Sequence, residues 1–167
     1  MSAFKRPVLK LPLSPRESAL EVVSVGGLAF LLYTFLIGWV ELPDVIPTHF
    51  GATGEADSWG PKSTLLVLPI LTVVLYALLI VLSRFPHIYN YPVAITEENA
   101  ERLYRLGREA MYWLKAQLVW MMGYLQWSMI QVSLGRAEKL NATVMWLFVA
   151  ALFVTAGWLA VKSYREK

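Results

Sequence analysis

One histidine and three carboxylates lie within a short polar stretch, residues 42–62, which reads LPDVIPTHFGATGEADSWGPK. The carboxylates belong to Asp44, Glu55 and Asp57, and the histidine is His49, one of only two in the chain. A histidine with two carboxylates can ligate zinc or another borderline metal, and a histidine beside one carboxylate can act as a general acid or base. The same groups can instead bind an external ligand, or tie the loop together by hydrogen bonds and cap helix ends.

No spacing signature in this stretch selects among these four uses, so the residues leave them open. Prolines stiffen the loop and glycines permit tight turns, and we therefore expect an ordered loop that folds back over the helix ends. We predict that it binds and does not catalyse. The predicted ligand-binding residues of the loop are His49, Asp57, Asp44 and Glu55, and the candidate metal ligands are His49, Glu55 and Asp57.

A second set of side chains, aromatic and amide in type, recurs at alternating intervals of four and three residues. This heptad-type spacing places the set along one face of a helix, and because glutamine is costly against lipid, that face is predicted to point into a bundle or at another protein. A packed seam with interhelical hydrogen bonds, a pocket for an apolar or peptide ligand, and a subunit interface are the alternatives. For the pocket, the predicted binding residues are Gln117, Tyr124 and Gln131. The full set is Trp113, Gln117, Trp120, Tyr124, Trp127 and Gln131.

Four long uncharged segments must position these residues. The chain is 57% hydrophobic and only 16% charged, whereas about a quarter of a globular chain is charged. Each segment is long enough to cross a hydrocarbon core of about 30 Å. We predict an all-α integral membrane protein, a four-helix transmembrane bundle that forms a single domain over residues 1–167. The predicted spans are about 19–40, 63–83, 112–135 and 142–162.

Signals at the segment ends refine this arrangement. Ser14 and Glu17 have the spacing of a capping box, which predicts a helix start. Thr96 is predicted to cap a helix of nearly forty residues that continues into the third span, and Pro69 is predicted to kink or loosen the second. Lys115 is expected to snorkel to the lipid head groups, since the spans supply no acid to pair with it.

The basic residues predict the orientation. Eleven of the fifteen Lys and Arg residues lie in the N-terminal segment, the connection after the second span and the C-terminal tail, and only three lie in the other two connections. By the positive-inside rule, both termini and the extension of the third helix are predicted to lie in the cytoplasm. The 42–62 loop then faces outward from a cell inner (plasma) membrane.

Several functional classes are excluded or disfavoured. The chain has no cysteine, which excludes disulfides, thiolate metal sites and cysteine nucleophiles. It contains no P-loop, dinucleotide fingerprint, nucleophile elbow or HExxH motif. The absence of charged pairs within the predicted spans argues against an ion-coupled transporter. No nucleic-acid partner is predicted, and no cofactor apart from a divalent metal as the alternative use of the 42–62 loop.

The 42–62 stretch resembles the signature of a bacterial membrane domain known as domain of unknown function 1648. That pattern is roughly Leu-Pro-Asp, then Ile-Pro-x-His-Phe, then a Gly, an Asp and a Lys. Residues 90–115, NYPVAITEENAERLYRLGREAMYWLK, resemble the family's second segment, so the resemblance covers most of the chain. The matching positions are Pro43, Asp44, Pro47, His49, Phe50, Gly54, Asp57, Gly60 and Lys62.

The domain is best known from the N-terminal part of SdpI-type immunity proteins, which protect a cell from a secreted toxic peptide and can pass a signal to a cytoplasmic repressor. The resemblance implies a membrane fold with an outward loop. We expect a small non-enzymatic protein that binds or senses an extracytoplasmic ligand or peptide and relays binding through its third helix. The alternatives are an accessory subunit with a membrane-protein partner or a second copy, and a metal-dependent membrane enzyme that uses His49 and Asp57.

Overall fold

The computed structural model describes residues 6–166, which form four helices and one β-hairpin. Lys5 and Lys167, which contribute to the charge count, lie outside these residues. Short 3₁₀ turns occupy Lys62–Leu66 and Pro86–Ile88. The remaining elements are α1 (Pro15–Glu41), β1 (Val45–Phe50), β2 (Ala56–Pro61), α2 (Val67–Ser83), α3 (Ala100–Ser133) and α4 (Ala142–Arg165).

The four helices alternate in direction, and α3 packs against each of the other three. At one end of the molecule, Arg102 near the start of α3 forms a 3.1 Å ion pair with Glu166 just beyond α4. This end holds both ends of the described chain and is called the termini end. The hairpin lies at the opposite end, called the hairpin end.

Three helical segments in the described part of the chain are long and apolar enough to cross a membrane. They are α1, the stretch Lys62–Ser83 that comprises a 3₁₀ turn and α2, and α4. They coincide with three of the four predicted spans. The predicted span 112–135 lies in α3, which is not among them because glutamines and aromatic residues interrupt its apolar sequence. Since α3 packs against the three apolar helices, the amide N–H groups of Gln117 and Gln126 find acceptors on neighbouring helices.

The all-α prediction is wrong in one element, because residues 45–61 form an antiparallel hairpin. Val45 pairs with Pro61 at its open end, and the Gly51 N–H donates to the Glu55 carbonyl at 2.9 Å beside the turn. Gly54 takes a φ of +87° in that turn, a conformation that favours glycine. The loop is therefore ordered, as predicted, but its order comes from strand pairing.

The start of α1 matches its sequence signal, whereas α3 has its N-cap at Asn99, three residues beyond the predicted cap Thr96. The Glu17 N–H donates to Ser14 Oγ at 3.2 Å, and the Ser14 N–H donates to Glu17 Oε2 at 2.6 Å, which confirms the capping box. Thr96 and Asn99 make a similar reciprocal pair of bonds, and α3 begins at the next residue and runs for 34 residues. Pro69 lies in the first turn of α2, where a backbone N–H needs no helical partner.

Two glycines allow α1 to approach α3 closely. A Cβ added at Gly27 would lie 2.8 Å from Val119, and one added at Gly38 would lie 2.8 Å from Ile130. Both distances are too short for a real Cβ contact, so a side chain at either position would force Val119 or Ile130 to shift. The helices are thus close enough for polar side chains on one to reach the other.

Candidate functional site

The hairpin brings His49 and Asp57 together. The His49 Nδ1 lies 2.5 Å from Asp57 Oδ1, and the two side chains are 68% and 53% exposed. A break in the strand register falls at His49, which sits opposite Ser58. In the neutral tautomer whose Nδ1 donates to the carboxylate, Nε2 is an acceptor, and Nε2 makes no hydrogen bond within residues 6–166. This geometry agrees with the structural use of the pair and leaves one ring nitrogen for a ligand.

The other two carboxylates of the loop do not join this pair. Glu55 lies 3.9 Å from Lys139 in an exposed ion pair. The side chain of Asp44 is exposed and has no partner in the described part of the chain. No group of three or more His, Asp or Glu side chains among residues 6–166 is placed to hold a metal ion. The structure thus unites two of the four predicted loop residues.

The hairpin is folded back onto the helix ends. Ile46 is fully buried in an apolar cluster with Leu65 and Met129. At the turn, the Leu140 N–H, just before α4, donates to the Gly54 carbonyl at 2.9 Å. These contacts hold the hairpin in a fixed position relative to α3 and α4.

A cavity of about 540 Å³ lies between the hairpin and the helices. Its volume is within the range of small-molecule sites. His49 lines it together with the hydroxyl-bearing Thr48 and Thr64, and no carboxylate does. The cavity therefore offers an apolar surface with one titratable side chain. Its apolar lining residues include Phe50, Leu125, Met129, Met145, Trp146 and Val149.

The heptad-spaced face of α3 lies apart from this cavity. The Gln117 Nε2 donates to Thr155 Oγ1 on α4 at 2.8 Å, and the Tyr124 hydroxyl donates to the Asn141 carbonyl at 3.3 Å. These interhelical bonds agree with the packed-seam alternative. Gln131 is half-buried, and none of the three predicted binding residues of this face lines the hairpin cavity.

Part of this face points into the bundle, which is one of its two predicted orientations; part is exposed, and there contact with another protein stays a prediction. Trp113 and Trp127 are 44% and 39% exposed. The most enclosed side of α3 is offset from the aromatic residues and contains the small residues Ala116 and Gly123, because these allow α1 to approach. Gln126, which the spacing did not single out, is fully buried on that side and donates to the Leu31 carbonyl at 2.7 Å.

Sequence reasoning missed two ion pairs between α1 and α3, one of them buried and the other partly buried. Glu17 accepts two hydrogen bonds from the Arg108 guanidinium, at 2.6 and 2.9 Å. Glu21 pairs with Lys115 and also accepts a hydrogen bond from the Tyr76 hydroxyl on α2. The sequence signal that could have revealed these pairs is residue spacing. Two acids four residues apart share one face of α1, and two bases seven residues apart share one face of α3.

The expectation that Lys115 snorkels is therefore wrong. Its side chain is 1% exposed, and its ammonium group lies over the ring of Tyr112 at 4.1 Å from the centroid. The acidic partner of Lys115 is Glu21, which directly precedes the first of the four long uncharged segments. Because Glu21 and Lys115 both fall within predicted spans, the sequence-based ground for excluding ion-coupled transport no longer holds.

Comparison with known proteins extends this description. Residues 27–73 match the family described as domain of unknown function (DUF1648), which confirms the resemblance of the 42–62 stretch. The matched region spans the second half of α1, the hairpin and the start of α2, while residues 90–115 lie outside it. An uncharacterised protein of Archaeoglobus fulgidus is 35% identical over 83 residues. This match covers 48% of the chain but only 45% of that relative's length. No solved structure matches the chain.

Proposed function

We propose that this membrane protein, whose residues 27–73 match DUF1648, is a non-enzymatic binding protein for an extracytoplasmic ligand. The observation that carries the proposal is the 540 Å³ cavity beneath the hairpin, with apolar walls and His49 among its lining residues. Such a site suits an apolar group of a small molecule or of a peptide. Recognition of a secreted peptide, as in the SdpI-type immunity proteins that the sequence resembles, is one biological use of such a site.

The lining residues have complementary parts in this proposal. Met129 and Met145 have flexible, polarisable side chains that adapt to ligands of different shape. Burial of apolar surface supplies the binding free energy, roughly 25 cal/mol per Å². Asp57 fixes the imidazole of His49 through Nδ1, so that Nε2 can accept one hydrogen bond from the ligand.

The cavity also suggests how binding is relayed. Leu125 and Met129 lie on α3, which connects the hairpin end with the termini end and packs against every other helix. A ligand that displaces these side chains therefore shifts the packing of α3, and the shift reaches the opposite end of the molecule. This relay belongs to the same proposal.

We expect indole, used as an apolar probe, to perturb the methyl signals of two methionines in a ¹³C-methyl NMR titration of the detergent-solubilised protein. Met129 and Met145 line the cavity and should shift saturably, whereas Met111, in the other half of α3, should not. Ala142→Phe, which places a ring in the cavity, should abolish the shifts. Ala150→Phe, at an exposed position of α4, is the matched control and should retain them.

Two outcomes of this titration contradict the proposal. Equal shifts of all methionine signals would show that indole only enters the micelle. Shifts that survive in Ala142→Phe would place the probe elsewhere.

We propose further that the hairpin faces outward and that the termini end lies in the cytoplasm, in an inner or plasma membrane. The support is the concentration of Lys and Arg at the termini end. Because the two ends lie on opposite sides of the membrane in this arrangement, α3 must cross it as a fourth helix among the three apolar ones.

Cysteine labelling tests this orientation, since the chain has no native cysteine. In intact cells, a membrane-impermeant maleimide should label Glu55→Cys on the hairpin and miss Glu101→Cys at the start of α3. Both side chains are exposed, so each should be labelled once the membrane is permeabilised. The opposite labelling pattern in intact cells inverts the orientation and places the cavity inside the cell.

A further inference from the structure

We infer that a second cavity, at the termini end, binds the phosphate head group of an anionic phospholipid. This cavity has a volume of about 830 Å³. It lies between the N-terminal segment 8–13, the last residues of α2 with the connector after it, and α3, which contributes Arg108 and Tyr112. It shares no lining residue with the hairpin cavity, so this inference does not rest on the proposed function.

Hydrogen bonds from two arginines hold the walls of this second cavity, called the phosphate cavity, in place. Arg6 donates hydrogen bonds to the carbonyl oxygens of His87 at 3.1 Å and of Tyr89 at 2.7 Å. Arg108 donates to the carbonyl oxygens of Leu11 at 2.7 Å and of Pro12 at 2.6 Å. The N-terminal segment is thereby held beside the connector and α3 as a definite wall.

The phosphate cavity carries an excess of positive charge. Its lining contains Lys10, Arg84 and Arg108 and no carboxylate. Glu17 neutralises Arg108, but Lys10 and Arg84 have no ion-pair partner among the described residues. The C-terminus of α2 beside Arg84 contributes only about half a negative charge, so a net positive charge remains. The cavity thus attracts an anion.

The apolar walls identify which kind of anion fits. Val8 and Leu13 are 70% and 59% exposed, and Phe85 is 44% exposed. The apolar segment Lys62–Ser83 ends directly before Arg84, which places the cavity where hydrocarbon would meet head groups. A free phosphate would leave the apolar side chains in water, whereas a phospholipid covers them with its acyl chains while its phosphate meets the two cations.

The test is a titration of the full chain, delipidated in detergent, with dioctanoyl phosphatidylglycerol, followed by native mass spectrometry. Dioctanoyl phosphatidylcholine and inorganic phosphate form the other two arms. Each basic residue near an anionic head group contributes roughly a fivefold factor, so Lys10→Ala/Arg84→Ala should weaken phosphatidylglycerol binding by roughly 25-fold. Both side chains are exposed, so the double variant should fold.

Arg105→Ala/Arg165→Ala is the matched control, because it removes the same charge from the same end of the molecule but outside the cavity. It should change phosphatidylglycerol binding by less than twofold. An equal loss of phosphatidylglycerol binding in this control would show that any positive charge at this end attracts the lipid, and would overturn the site. Equal binding of phosphatidylcholine would overturn the role of charge, and equal binding of inorganic phosphate would overturn the role of the lipid. No binding of phosphatidylglycerol to the unmodified protein would overturn the inference entirely.

Discussion

Replacing Glu17 by glutamine is expected to lower the free energy of unfolding by about 3–5 kcal/mol. The carboxylate is 2% exposed and accepts two hydrogen bonds from Arg108, whose side chain is 8% exposed. Glutamine can still complete the capping box with Ser14, so the helix start is preserved. What is lost is the charge that compensates a buried guanidinium, which stays protonated and remains away from water.

The measurement is unfolding in mixed micelles by added dodecyl sulfate, followed by far-UV circular dichroism. Glu101→Gln is the control, because it removes one charge from the exposed pair with Arg105, which is four residues away on the same helix. That pair should contribute only about 0.3–0.5 kcal/mol. Glu17→Met/Arg108→Met should recover part of the loss, since no unpaired charge remains buried. Equal small losses for Glu17→Gln and Glu101→Gln would show that water reaches Arg108.

Replacing Gly54 by alanine is expected to detach the hairpin turn from the start of α4, at a cost of about 2–5 kcal/mol. Two effects combine at this residue. Its φ of +87° is unfavourable for alanine, and an added Cβ would lie 1.9 Å from the carbonyl oxygen of Leu140. Because the obstacle is backbone, the turn and the start of α4 must separate.

Gly135→Ala separates the two effects. Gly135 also has a positive φ, +66°, but nothing lies within 4 Å of an added Cβ, so only the conformational cost of about 1–2 kcal/mol applies. Amide hydrogen exchange at Leu140 is the readout, because its N–H donates to the Gly54 carbonyl. Exchange should accelerate in Gly54→Ala and stay slow in Gly135→Ala. Unchanged protection in Gly54→Ala would mean that the turn adapts without separating.

Local patterns were sufficient for much of the fold. Uncharged segments of sufficient length correctly indicated α1, α2 and α4, and the reciprocal hydrogen bonds of Ser14 and Glu17 follow from their spacing alone. The pairing of His49 with Asp57 was also among the uses considered, because residues eight apart around a turn are near one another in any compact loop. These features depend on neighbours within about ten residues of sequence.

The hairpin was not predicted because its strands are short, contain prolines and have an irregular register. A two-stranded hairpin has little stability by itself. Here the stability comes from the burial of Ile46 and from the hydrogen bond between Leu140 and Gly54. Those partners lie far along the chain, so the strand signal is weak in the local sequence.

By itself, the sequence determined the apolar helices, the capping box of α1 and the DUF1648 pattern, since each depends on local spacing and hydropathy. Only the tertiary structure decided which side of α3 is enclosed, where the two cavities lie and which charges pair. Glu17 and Arg108 are 91 residues apart, and each side chain alone could reach water or lipid head groups. They meet because Gly27 and Gly38 let α1 approach α3, and a contact of that kind has no signature within either helix.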